Sequence, residues 1–117
     1  PRLTYQNIET VSLNYLVDLL ERNENLVIQL EAHTDSRGTN SSNKTLSQRR
    51  AETCVNFLLD QGIASERLIP VGLGEDRLII TDAQISKLPQ DEREAAHQIN
   101  RRTVFKIVRF DYIPTEE

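Results

Sequence analysis

Leu26-Val27-Ile28-Gln29-Leu30-Glu31-Ala32-His33 runs directly into Thr34-Asp35-Ser36-Arg37-Gly38. Leu26, Ile28, Leu30 and Ala32 alternate with Gln29, Glu31 and His33, so residues 26–34 are predicted to form a strand with one core face and one partly wet face. The glycine turn that follows sets an acid, Asp35, at the strand's end. A guanidinium, Arg50, follows fifteen residues later on a segment with helical periodicity. A carboxylate and a guanidinium on separate rigid elements suit the two ends of a zwitterionic ligand, since arginine offers a planar fork to a carboxylate.

Working outward, residues 7–22 read as a helix, with Ile8, Val11, Leu16, Leu19 and Leu20 at helical spacing and Val17 on the border. The polar residues 35–45 read as a loop, with Thr45 or the Ser/Asn cluster before it capping a second helix. That helix runs to about Gln61, buries Ala51, Val55, Leu58 and Leu59, and stops at Gly62. Residues 67–71 form a second strand that reaches Gly72-Leu73-Gly74-Glu75. A short helix or an excursion occupies 79–88, a helix follows Pro89 over 91–98, and 103–110 is the last strand. The order α-β-α-β-(α)-β predicts an α/β (α+β) fold, an open mixed sheet with helices packed on it, in a single domain over 1–117.

Composition narrows the function. The 117 residues carry a formal net charge of −4, so a nucleic-acid partner, which needs a basic face, is not expected. The pairs Arg49-Arg50 and Arg101-Arg102 are too short to track a phosphate backbone. No apolar run approaches the ~18 residues of a membrane-spanning helix. Cys54 is alone and falls among apolar helix positions, which makes it a core residue with no disulfide partner. His33 and Asp35 lack a third ligand nearby, so neither metal nor cofactor is expected. Asp91-Glu92-Arg93-Glu94 reads as a solvated helix face.

Asn43, Leu46, Arg50 and Cys54 recur at steps of three, four and four, placing Arg50 at the border of the buried face near the strand end that carries Asp35. Two readings fit the Asp35/Arg50 spacing. In one the pair binds a ligand carrying both charges. In the other Asp35 is structural, either paired with Arg50 or closing an Asx turn on the amide of Arg37 or Gly38.

The run His33-Thr34-Asp35-Ser36-Arg37-Gly38, then Asn43, Leu46-Ser47, Arg49-Arg50-Ala51 and Val55, resembles the signature of OmpA-like C-terminal domains. Gly62-Ile63, Arg67-Leu68, Gly72-Leu73-Gly74-Glu75 and Asn100-Arg101-Arg102 continue it in order. The resemblance covers about residues 26–108, with 76–99 longer than the usual linker and 111–117 a tail. It implies a non-catalytic periplasmic module that binds peptidoglycan through the meso-diaminopimelate of the stem peptide. Carried over, Asp35 would take the amino group and Arg50 the carboxylate. Thr34, Asn43 and Leu46 would line the pocket, Arg101 would close it, and Arg102 would turn into the fold. The parent protein would be tethered to the outer membrane by upstream segments, and relatives include homodimers. A module of the same fold that has lost peptidoglycan and binds proteins is the alternative. The family's opening aromatic-rich strand is missing or supplied by residues 2–5, and Leu73 stands where an aromatic is common.

Overall fold

The computed structural model describes residues 10–115. Helix α1 (Thr10–Arg22) leads to strand β1 (Val27–His33), helix α2 (Asn40–Asp60), a 3-10 turn (Ser65–Arg67) and strand β2 (Leu68–Gly74). Helices α3 (Asp82–Ser86) and α4 (Gln90–Asn100) precede strand β3 (Arg102–Arg109). The sheet order is β2-β1-β3, with β2 parallel and β3 antiparallel to the central β1. Parallel neighbours need a crossover connection, and α2 is that crossover. The expected open mixed sheet with helices on it is therefore present. Residues 2–5, the suggested source of a first strand, lie outside the described residues.

The core joins Leu16 and Leu20 of α1 to Ile28 and Leu30 of β1, Cys54, Val55 and Leu58 of α2, and Ile63 and Leu68 beyond it. Burial raises the pKa of the Cys54 thiol, in keeping with a core role. Leu59, expected inside, is 36% exposed. It stands one helical step, about 100°, from the fully buried Leu58, which carries it off the sheet-facing stripe.

The second face of β1 departs further from expectation. Glu31 and His33 are 3% and 2% exposed, not partly wet. Having strands on both sides, β1 offers its polar residues internal partners. Gln29 Nε2 donates to Glu31 at 2.7 Å, and Lys106 of β3 pairs with Glu31 at 3.1 Å. Burial pushes the Glu31 carboxyl upward, but Lys106 and Gln29 outweigh it and the net direction is down. His33 has its Nε2 3.8 Å from Glu31. Burial first, and then the Arg102 charge, push its pKa down to about 4, so it is neutral at neutral pH.

Helix α2 begins earlier than the sequence suggests. Its cap is Thr39, whose side chain accepts from the Ser42 backbone N–H, rather than Thr45 or the Ser/Asn cluster before it. Apart from Lys44, residues 40–45 are Asn, Ser and Thr, weak helix formers, the Asn and Ser side chains because they compete for backbone groups. Here Asn43 spends its amide on other segments instead: its Nδ2 lies 3.1 Å from Arg37 O and 2.9 Å from Glu75 Oε1. The helix stops where expected, and Gly62 adopts φ +94°, a conformation suited to glycine. Strand β2, expected over 67–71 and reaching Gly72-Leu73-Gly74-Glu75, takes in Leu68–Gly74, and Gly72 lets it pass closely under α2.

Two arginines brace the frame. Arg67, 6% exposed, donates from Nε to Leu26 O at 2.9 Å and from Nη2 to Leu20 O and Asn23 O at 2.8 and 2.7 Å. It thereby satisfies carbonyls where α1 ends and β1 begins. Arg102, 8% exposed, turns inward and donates to Asn100 O and Arg77 O. Asn100 is fully buried; its Oδ1 accepts from the Ile79 and Ile80 N–H groups and its Nδ2 donates to Ile80 O. The Asn100-Arg101-Arg102 run thus pins the segment before α3 and aims Arg101 at the end of β1.

Candidate functional site

Asp35 sits just beyond β1 and is 7% exposed. Thr34 holds its position twice: its N–H donates to Gly74 O at 2.8 Å and its hydroxyl to Asp35 O at 2.9 Å. Asn43 Nδ2 approaches the same carbonyl at 3.3 Å. The Arg37 N–H donates to Asp35 Oδ1 at 2.9 Å, closing the Asx turn that was one of the two structural options.

The other oxygen is where the charges gather. Asp35 Oδ2 lies 2.9 Å from Arg37 Nη2 and 2.6 Å from Arg101 Nη1. Each guanidinium uses its remaining arm on Glu94 of α4: Arg37 Nη1 at 3.0 Å from Oε1, and Arg101 Nη2 at 2.7 Å from Oε2. Two carboxylates and two guanidiniums form a closed, formally neutral ring. Burial pushes the Asp35 carboxyl upward, but the side chains of Arg37 and Arg101 and the Arg37 N–H overcome it. The group is held far below the usual carboxylate range and is ionised at any physiological pH. The Arg37 and Arg101 pKa values are raised, chiefly by their bonds to Asp35.

Of the residues singled out from sequence, Asp35, Thr34, Asn43 and Arg101 converge here. Arg50 makes no ion pair with Asp35 and is exposed on α2, so the structural Asp35/Arg50 pair is not formed. It is seven residues from Asn43, which puts it about 20° away around the helix and about 10 Å along it. Arg50 therefore faces the same side as Asn43, two turns on, with no hydrogen bond or ion pair among the described residues. Leu46 is 41% exposed and borders a shallow groove with Ser42, Thr45 and Arg49. Among the described residues no group of His, Cys, Asp and Glu has a metal-holding arrangement, and no helix is long and apolar enough to cross a membrane.

Arg37 and Glu94 were not singled out as site residues. Arg37 carried a signal, since the Asx turn brings its own side chain back toward Asp35. Glu94 carried none: it is 59 positions from Asp35, in a charge run that reads as a solvated face.

The fold and this ring define a small α/β domain with a four-membered charged cluster at one end of its sheet. Its sequence matches the model of the OmpA family over residues 3–92, and the chain belongs to that family. It is 31% identical over 93 residues to a peptidoglycan-associated lipoprotein of Buchnera aphidicola subsp. Baizongia pistaciae, covering 80% of this chain and 49% of that one. It is 33% identical over 87 residues to outer membrane porin F of Pseudomonas fluorescens, covering 74% of this chain and 24% of the porin. The crystal structure of the peptidoglycan-associated lipoprotein from Burkholderia pseudomallei superposes with a TM-score of 0.64 at 25% identity, covering 85% of this chain and 75% of that one. The chain spans about half or less of the curated relatives it matches.

Proposed function

We propose that this domain binds cell-wall peptidoglycan non-covalently, through the meso-diaminopimelate of the stem peptide. It thereby anchors an outer-membrane protein or lipoprotein to the wall from the periplasmic side. The side chain of meso-diaminopimelate ends in an ammonium and a carboxylate on one carbon. Asp35 takes the ammonium, and Arg50, exposed on the Asn43 side of α2, takes the carboxylate. Thr34 and Asn43 fix the Asp35 backbone, Leu46 lines the approach, and Arg101 closes the site. Recognition is an equilibrium; no bond breaks.

The observation that carries this reading is Asp35 itself, a nearly buried, ionised carboxylate with one oxygen that takes no guanidinium hydrogen bond. The peptidoglycan-associated lipoproteins among its relatives and membership of the OmpA family support the cell-wall role. To test it, wild type, Asp35→Ala and Arg50→Ala are incubated with purified sacculi and centrifuged. Wild type is expected in the pellet and both variants, still folded, in the supernatant. Pelleting of both variants at the wild-type level refutes the assignment.

A protein-interaction module of the same fold is the second reading. It is favoured by one feature, the internal neutrality of the ring, which leaves no uncompensated charge at Asp35. Wild type remaining in the supernatant in the same assay selects it.

A further inference from the structure

The ring leaves Asp35 divided. Oδ2 holds both guanidiniums, while Oδ1 accepts only the Arg37 backbone N–H among the described residues. A carboxylate oxygen has two acceptor positions, so Oδ1 retains one. The asymmetry has an identifiable cause. A guanidinium facing a lone carboxylate frequently closes on both oxygens as a fork. Arg37 and Arg101 do not, because each spends its other arm on Glu94. Charge gives the same answer: two guanidiniums over Asp35 alone make the site cationic, and Glu94 restores neutrality.

We propose that Glu94 determines the specificity of this site for an amine: by engaging the outer arms of Arg37 and Arg101, it keeps Asp35 Oδ1 open and the site neutral enough to accept a ligand's ammonium. This rests on the reading of Asp35 as the ammonium acceptor. Glu94 itself is a positioning residue, 62% exposed at its side chain and brought to the ring by α4. The helix after Pro89 is then part of the recognition surface, where the sequence alone suggested only a solvated face. When Glu94 loses its charge, one guanidinium becomes free to fork onto Asp35 and cap Oδ1, and an arriving ammonium meets net positive charge.

The test compares wild type, Glu94→Gln and Glu92→Gln, the last removing an exposed acid from the same helix without touching the ring. Each is titrated calorimetrically with a stem tripeptide ending in meso-diaminopimelate, and with the same peptide acetylated on its free side-chain amine. Thermal melts establish that all three are folded. Glu94→Gln is expected to bind the free-amine peptide about tenfold more weakly, as a screened unit charge at a partly exposed site allows. Its preference for free over acetylated amine is expected to collapse, while Glu92→Gln keeps both affinity and preference. Wild-type affinity and preference in Glu94→Gln overturn the proposal and leave the Asp35 reading standing, and so does an equal loss in Glu92→Gln. If wild type itself does not distinguish free from acetylated amine, the Asp35 reading fails and this proposal fails with it.

Discussion

Replacing Gly72 with alanine is expected to destabilise the domain by about 3 kcal/mol or more, with a fall in Tm beyond about 10 °C. A Cβ on Gly72 would stand 2.2 Å from the Gln48 backbone N and 2.6 Å from its Cα. Both are main-chain atoms inside α2, so no side-chain rotation relieves the overlap, and helix and strand must separate. Separation also breaks what the close approach allows. The Gln48 side chain accepts from the Gly72 N–H at 2.9 Å, and Ser47 Oγ accepts from the Gly74 N–H at 2.9 Å. Gly62→Ala is the control. It has φ +94° with nothing within 4 Å of the added Cβ, so it bears conformational strain alone, about 1 kcal/mol. Thermal melts of both variants check the difference; equal shifts would show that the close approach contributes nothing.

Arg67→Ala is expected to cost about 3–4 kcal/mol, measured by urea unfolding. The guanidinium makes three donations to carbonyls from two segments, Leu20 O and Asn23 O where α1 ends and Leu26 O at the start of β1. Truncation leaves Leu20 O and Leu26 O without that donor in a buried place, while Asn23 O keeps the Leu26 N–H; leaving a buried acceptor unsatisfied costs more than a bond gains on folding. Tyr112 adds a ring 5.8 Å from the guanidinium carbon, tying the residues after β3 to the same anchor. Arg67→Lys is expected to recover only part of the loss, because an ammonium cannot reproduce the planar fork. Arg22→Ala, which removes an exposed pair with Asp18, is expected to cost no more than about 1 kcal/mol. A similar cost for Arg67→Ala would place Arg67 among ordinary surface arginines.

These two positions mark where sequence reading stops. Gly72 was visible as punctuation after a strand, but that the punctuation lies inside β2, under a helix, is a fact of tertiary packing. Arg67 was visible only as part of a family pattern, since nothing local distinguishes an arginine bound to three carbonyls from one in water. Elements whose cause is local were legible: the alternation of β1, the apolar stripe of α2, its stop at Gly62 and the break at Pro89. The start of α2 was not, because the Asn, Ser and Thr residues that dominate 40–45 are poor helix formers and the helix there is upheld by Thr39 and by the distant partners of Asn43. Glu31 and His33 followed the period of a one-sided strand, yet Lys106 on β3 makes the burial of Glu31 tolerable and His33 is buried as a neutral ring.

The site divides the same way. Asp35, Thr34, Asn43 and Arg101 come together as their motifs implied. The structure gives Asp35 a different pair of cations, Arg37 from its own turn and Arg101 from the end of α4, and leaves Arg50 in solvent. Spacing along one helix sets azimuth, not reach, so it fixed the side on which Arg50 lies without fixing what it touches. Glu94 was beyond reach of sequence because Arg37 belongs to a distant segment and the helix that carries Glu94 and ends at Arg101 reads as an exposed charge run.

The central claim is that a fixed anion, Asp35, and a cation exposed on α2, Arg50, select a small zwitterion. Its most direct measurement is a calorimetric titration of the domain with meso-diaminopimelate and, separately, with lysine, which keeps the amine and lacks the distal carboxylate. The expected result is saturable 1:1 binding of meso-diaminopimelate and affinity for lysine lower by about tenfold or more, the loss of one charge-assisted contact. Equal affinity for the two, or no heat with either, would contradict the account.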